Sequence, residues 1–208
     1  MERKFFYFAG IASAVVFLFG DILGGFITPD YSYIRNAVSE LSQTGAENRV
    51  LFSSILFFHA VMGILFAIGI MLNHQSKKEK LIFTGGVFCL VVGLSNALSS
   101  SVFPQDPVGS EPTFQGTMHL VLVGITVVST FLLLPIMGQG VFRYRGWKSF
   151  RTFTFICLPI LVVAGVLSPV VIAKGIHIMG ATERIVAYTY FAWIVVLAVL
   201  LIREKELV

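Results

Sequence analysis

The residues of this chain that could do chemistry are few, and most are embedded in stretches otherwise made of Leu, Val, Ile and Phe. Asp21 lies near the end of the first such stretch and His59 in the middle of the second. Asn96, Ser99 and Ser100 share one helical face late in the third, His119 opens the fourth, and Glu183 and Arg184 open the sixth. Arg35, Asn36, Ser39 and Glu40 lie in a polar segment between the first two, and Asp106 in a "PQDP" turn. Ionisable groups placed in hydrocarbon are costly and tend to be functional. A metal ion such as zinc would want three or more convergent His, Asp or Glu donors. His59, His119 and Asp106 are the first candidates, with Asp21, Glu183 and His177 behind them. None has metal-type spacing, and neither H-x-x-x-H nor H-E-x-x-H occurs. A serine nucleophile with His59 or His119 as its base is conceivable, but G-x-S-x-G is absent, as are phosphate-loop, dinucleotide and haem motifs.

Each of these residues also has a structural reading. Asp21 can pair with Arg184 or Arg35 at a helix end. His59 can bond a carbonyl or serine across helices. The serines can bond back along their own helix. Glu183 suits the first turn of a helix, where the dipole favours an acid. Asp106 can shape its turn.

The elements that must position them are membrane spans. Of 208 residues 56% are apolar and only 12% charged, about half the charged share of a soluble domain. A helix needs about 20 apolar residues to cross the hydrocarbon core. Six segments qualify, near 5–27, 50–72, 81–102, 116–137, 151–173 and 182–202. The expected fold is an all-α bundle of six transmembrane helices forming one domain over 1–208. The first run reads as a span, since it is too long for a signal core and no small-residue cleavage site follows. Cys89 and Cys157 lie in separate apolar runs and read as packing residues. Basic runs with interleaved aromatics are absent, which argues against nucleic acid as a partner.

Lys and Arg set the expected orientation. With the N-terminus in the cytoplasm, the inner ends hold Arg3, Lys4, Lys77, Lys78, Lys80, Arg143, Arg145, Lys148, Arg151, Arg203 and Lys205, and the outer ends only Arg35, Arg49, Lys174 and Arg184. Both termini are therefore expected in the cytoplasm of a multi-pass plasma-membrane protein. At about 1.5 Å per residue, Asp21 lies ~9 Å deep from the outer side and His59 ~15 Å deep, near the midplane. The polar residues then share the outer half of the bilayer and could surround one outward-facing pocket. Gly20, Gly24, Gly25, Gly85, Gly86 and Gly93 predict close helix contacts. Pro159 and Pro169 predict a bend or break in the fifth helix.

The polar segment "YSYIRNAVSELSQTGAENR" spans 31–49. At 100° per residue, Ile34, Ala37, Val38 and Leu41 share one face. Arg35, Ser39 and Ser42 share the next, with Asn36, Glu40 and Gln43 beside them. Asp30 or Ser32 can cap its start and Gly45 its end. A short amphipathic surface helix over 31–43 is predicted, either an interfacial anchor or a lid over the pocket.

The order of "NAVSELSQTGA", "SNALSSSVFPQD", "GTMH" and a sixth span opening in "ER" resembles a prokaryotic six-helix membrane family, the domain of unknown function DUF998. More distantly it resembles the Frag1/DRAM/Sfk1-like membrane proteins. The resemblance covers most of the chain, and its matching positions are Asn36, Ser39, Glu40, Pro104, Asp106, His119, Glu183 and Arg184. It implies a six-helix fold with a polar cluster and, through the distant relatives, a lipid-related role.

The favoured expectation is a pocket for a lipid headgroup or small amphiphile, built from Asp21, Arg35, Asn36, Ser39, Glu40, His59, Asn96, Ser99, Asp106, His119, Glu183 and Arg184. Arg35 and Arg184 would hold anionic groups. A metal-dependent intramembrane lipid hydrolase and a small proton-coupled transporter are the alternatives.

Overall fold

The computed structural model describes residues 2–141 and 147–203, with the backbone alone for residues 2 and 3. Among them are six long helices: α1 Glu2–Ile27, α2 Arg49–Asn73, α3 Lys80–Ser101, α4 Phe114–Gly140, α5 Lys148–Ala173 and α6 Met179–Arg203. All six are long and apolar enough to cross a membrane. The shortest, α3, has 22 residues, about 33 Å at the helical rise, against ~30 Å of hydrocarbon. Every expected span is present, with ends within three residues of the expected ones. Of the inner basic residues, Arg143, Arg145, Lys205 and the side chain of Arg3 lie outside the described residues.

Each helix packs on its neighbours in sequence, and α6 returns to α1, closing a ring. At the end holding the N-terminus the ring is filled by a dense apolar core around Phe66, Ile70, Met137, Trp193 and Leu197. We call this the basic end, after Lys4, Lys77, Lys78, Lys80 and Arg203. Trp193 is fully buried and donates its indole N–H to Thr154 Oγ1 at 2.9 Å, tying α6 to α5. The opposite end carries residues 28–48, the 102–113 loop and the 174–178 loop. Its smaller core joins Phe17 and Phe52 to Val38, Leu41 and Phe191.

The glycines bring backbones close, as expected. A Cβ on Gly93 would sit 2.7 Å from Ile64 of α2, and one on Gly24 would strike Leu41. The prolines behave differently from the expectation: α5 runs as one helix through Pro159 and Pro169, and α4 through Pro135. Helices in a bundle tolerate such residues because neighbours can satisfy the freed carbonyls.

The predicted surface helix over 31–43 is corrected. Residues 33–36 form a turn, and only Val38–Ser42 is helical, as a short 3-10 helix. The reason lies in the partners of its backbone. The carbonyls of Ile34 and Arg35 accept the N–H groups of Ala181 and Gly180, and those of Tyr33 and Asn36 accept from Arg184. The Ala37 N–H donates to Glu40 and the Val38 N–H to Glu183. These groups are engaged elsewhere and cannot make the i to i−4 bonds of an α-helix. Of the residues expected to share one face, Ala37, Val38 and Leu41 are buried together, but Ile34 is exposed. Asp30 is not a cap but a left-handed residue with φ 56°, and Gly45 turns the chain with φ 83°.

Candidate functional site

The twelve expected site residues divide into a clasp, a cavity lining and an outlying loop. The clasp centres on Arg184, which α6 places one turn beyond its start. Its Nη2 donates to Asp21 Oδ1 at 2.7 Å and its Nε to Asp21 Oδ2 at 3.0 Å, a bidentate pair from α6 to α1. Nη2 also donates to Tyr31 Oη, and Nη1 to the carbonyls of Tyr33, Asn36 and Gly180 at 2.7, 2.8 and 3.0 Å. The rings of Tyr31 and Tyr33 lie against the guanidinium. Asp21 is fully buried and takes a further bond from the Tyr188 hydroxyl. The planar guanidinium offers five N–H donors to these six acceptors, so the two Nη1 hydrogens are shared among three carbonyls. Gly180 must lack a side chain here, since a Cβ would strike the Asn36 carbonyl. Tyr31 passes its own hydrogen to the Ala37 carbonyl, and burial pushes its phenol well above the ordinary range.

Arg184 thus fastens residues 31–37 across the end of the ring, and Glu183 and Glu40 complete the fastening. Glu183 was expected in the first turn of its helix. The helix starts earlier, at Met179, and the carboxylate instead takes the Val38 N–H at 2.7 Å. Glu40 accepts from Asn36 Nδ2 and the Ala37 N–H, both at 2.8 Å.

Beneath this roof is a cavity of about 190 Å³ whose walls are mainly apolar, with Phe17, Leu56, Val92, Val123, Val186 and Phe191 among them. Of the expected residues Ser39, His59, Asn96, Ser99, His119 and Glu183 line it. Asp21, Arg35, Asn36, Glu40, Asp106 and Arg184 do not. The expectation that Arg35 and Arg184 hold an anion in the pocket is therefore corrected: Arg184 is saturated by the clasp, and Arg35 is exposed above it.

The two histidines are fixed in the same way. His59 Nδ1 stands 2.9 Å from the Ser13 carbonyl oxygen, and His119 Nδ1 stands 2.9 Å from that of Phe103. A carbonyl only accepts, so each Nδ1 carries the hydrogen and each Nε2 of the neutral ring is an acceptor. Ser13 Oγ reciprocates to the His59 carbonyl at 3.1 Å. Phe17 and Phe191 meet the His59 ring edge to face. Asn96 Oδ1 takes the Thr126 hydroxyl at 3.3 Å, linking α3 to α4.

Asp106 belongs to the loop before α4. It accepts the Thr113 N–H at 2.8 Å and hydroxyl at 2.7 Å. Those two bonds, the backbone one foremost, hold its carboxyl below the ordinary value. A Cβ on Gly116 would collide with that carboxylate. His177 is exposed in the loop before α6, and Ser168 bonds back to the Ala164 carbonyl. Among the described residues no three His, Cys, Asp or Glu side chains gather as a metal site. The expected zinc set of His59, His119 and Asp106 fails because Asp106 is engaged with Thr113 and does not line the cavity.

A model of the family described as "Protein of unknown function (DUF998)" matches residues 11–200. The chain belongs to the DUF998 family. No curated protein and no solved structure matches it. The DUF998 match covers both the clasp and the cavity.

Sequence reasoning missed Tyr31, Tyr188 and Ser13 as partners, and Thr126, Thr130 and Tyr190 in the lining. Tyr188 carried a signal, since it follows Arg184 by four residues and shares its helix face. Ser13 did not, being one of several small residues in α1.

Proposed function

We propose that this DUF998 protein is a single-domain plasma-membrane protein, with both termini cytoplasmic and the roof outside, that holds a lipid headgroup or other small amphiphile in the roofed cavity. The orientation rests on the Lys and Arg bias, which gathers at the basic end of the bundle. The binding reading rests on one observation: a cavity with mainly apolar walls onto which His59, His119, Asn96 and Glu183 converge. Concave, mostly apolar sites with a few placed polar groups are the usual form of a small-molecule pocket. The size limits the occupant. A cavity of ~150 Å³ admits a benzene ring, so about 190 Å³ takes a headgroup or one end of an amphiphile. Val123 lines the cavity and is itself exposed, which favours entry beside α4.

Native mass spectrometry of the protein released from a mild detergent tests this. The wild type should carry a bound small molecule. Ala187→Trp, which fills the cavity from α6, should lose it while keeping its melting behaviour. A bare wild type, or an adduct equally retained by Ala187→Trp, contradicts the reading.

A further inference from the structure

The polar lining of the cavity is biased in a way its residue types alone do not show. The hydroxyl hydrogens of Ser42, Ser99 and Ser100 are engaged by the carbonyls of Ser39, Asn96 and Ala97. These serines therefore turn only oxygen lone pairs to the cavity. Both histidines give their one ring hydrogen to a backbone carbonyl, so Nε2 of each is an acceptor. The hydrogen bonds of both rings run through Nδ1, and none engages Nε2 among the described residues. Glu183 uses one oxygen for the Val38 N–H and adds a carboxylate to the same wall. Among the described residues no Lys or Arg lines the cavity, and its donors are neutral: the Asn96 amide and the hydroxyls of Ser39, Thr130 and Tyr190, the last bonded to Cys89.

An anionic head would be placed beside the Glu183 carboxyl in a poorly solvated site whose lining holds no cation, the nearby Arg184 being paired with Asp21. A primary ammonium has three N–H donors and no acceptor, the complement of two imidazole nitrogens and a carboxylate. We infer that the cavity selects amphiphiles with a primary amine head and disfavours carboxylate and phosphate heads. This rests on the binding reading above and names the class of its ligand.

Three probes of ten carbons each separate the two ideas: decylamine, 1-decanol and decanoic acid, titrated by native mass spectrometry. Decylamine should bind most tightly and decanoic acid at least about tenfold more weakly. Glu183→Gln keeps an oxygen for the Val38 N–H but removes the charge. It should weaken decylamine about tenfold and leave 1-decanol within about twofold. His119→Asn keeps a donor near the Nδ1 position and deletes Nε2, and should weaken both. Equal binding of the three probes, or decanoic acid binding best, overturns the inference while leaving a chain-binding cavity intact. Loss of the decylamine preference in neither variant overturns it as well. If no probe binds in a manner that Ala187→Trp blocks, the binding reading fails and the inference falls with it.

Discussion

At the residue scale Arg184 and Asp21 form a buried ion pair. Asp21 is fully buried, so removing the Arg184 guanidinium leaves a carboxylate with no cation. Breaking one side of a buried pair costs about 3–5 kcal/mol, whereas replacing both partners can be nearly neutral. Arg184→Met should therefore lower thermal stability sharply, and Asp21→Asn with Arg184→Met should recover part of the loss. Detergent-solubilised melting curves of the two variants check this, and equal losses would show that the clasp is not an ion pair in energetic terms. The pairing was one of the alternatives legible in the sequence. Its carbonyl partners were not, because no side-chain pattern reports where a backbone turn aims its oxygens.

Asp106 supplies a second residue-scale outcome. The Thr113 bonds favour its ionised form, so the folded value lies below the unfolded one. Its contribution is complete above the unfolded value of about 3.9 and is lost as pH falls through the folded value. Acid, not base, should release the 106–113 loop. Hydrogen exchange of the Thr113 amide should accelerate in that acid window in the wild type, and already be fast at neutral pH in Asp106→Ala. An amide that speeds up only at alkaline pH beyond the ordinary base-catalysed trend contradicts the assignment.

At the element scale the roof is set by α6 as much as by its own sequence. Period counting placed Ile34, Ala37, Val38 and Leu41 on one face, and the last three are buried together. It predicted a longer helix because it could not see Gly180, Ala181, Glu183 and Arg184 taking the roof's backbone groups. Tertiary bonds overrode the local pattern. At Gly180 the backbone of α6 lies directly against the Tyr33 and Asn36 carbonyls of the roof. Gly180→Ala should cost about 1–3 kcal/mol, the usual range for overpacking, because its new methyl meets backbone carbonyls that cannot rotate away. Gly124→Ala should be close to neutral, since a Cβ there meets nothing within 4 Å. Melting curves of both, with His119 accessibility to a carbonate-ester reagent as a measure of roof closure, check the pair. The six spans were far more legible than the roof, since a run of twenty apolar residues needs no knowledge of its neighbours.

At the scale of the whole molecule the two ends differ in kind. The basic end is packed solid around Trp193 and Met137, and the roofed end holds the cavity. The sequence showed this asymmetry in His59, Asn96 and His119. It did not divide the polar residues into those that hold the roof and those that line the space below it. Single cysteines at Glu111 and Lys77, both exposed and at opposite ends, should label respectively from outside and only after permeabilisation. The reverse pattern would invert the orientation.

A crystal structure of the protein grown from lipid would show whether the space beneath the roof holds an amphiphile. Elongated non-protein density is expected in the cavity, with its polar end within hydrogen-bond distance of Nε2 of His59 or His119 and its chain leaving beside Val123. A cavity closed by its own side chains, or holding only ordered water while lipid density lies elsewhere, would contradict amphiphile binding there.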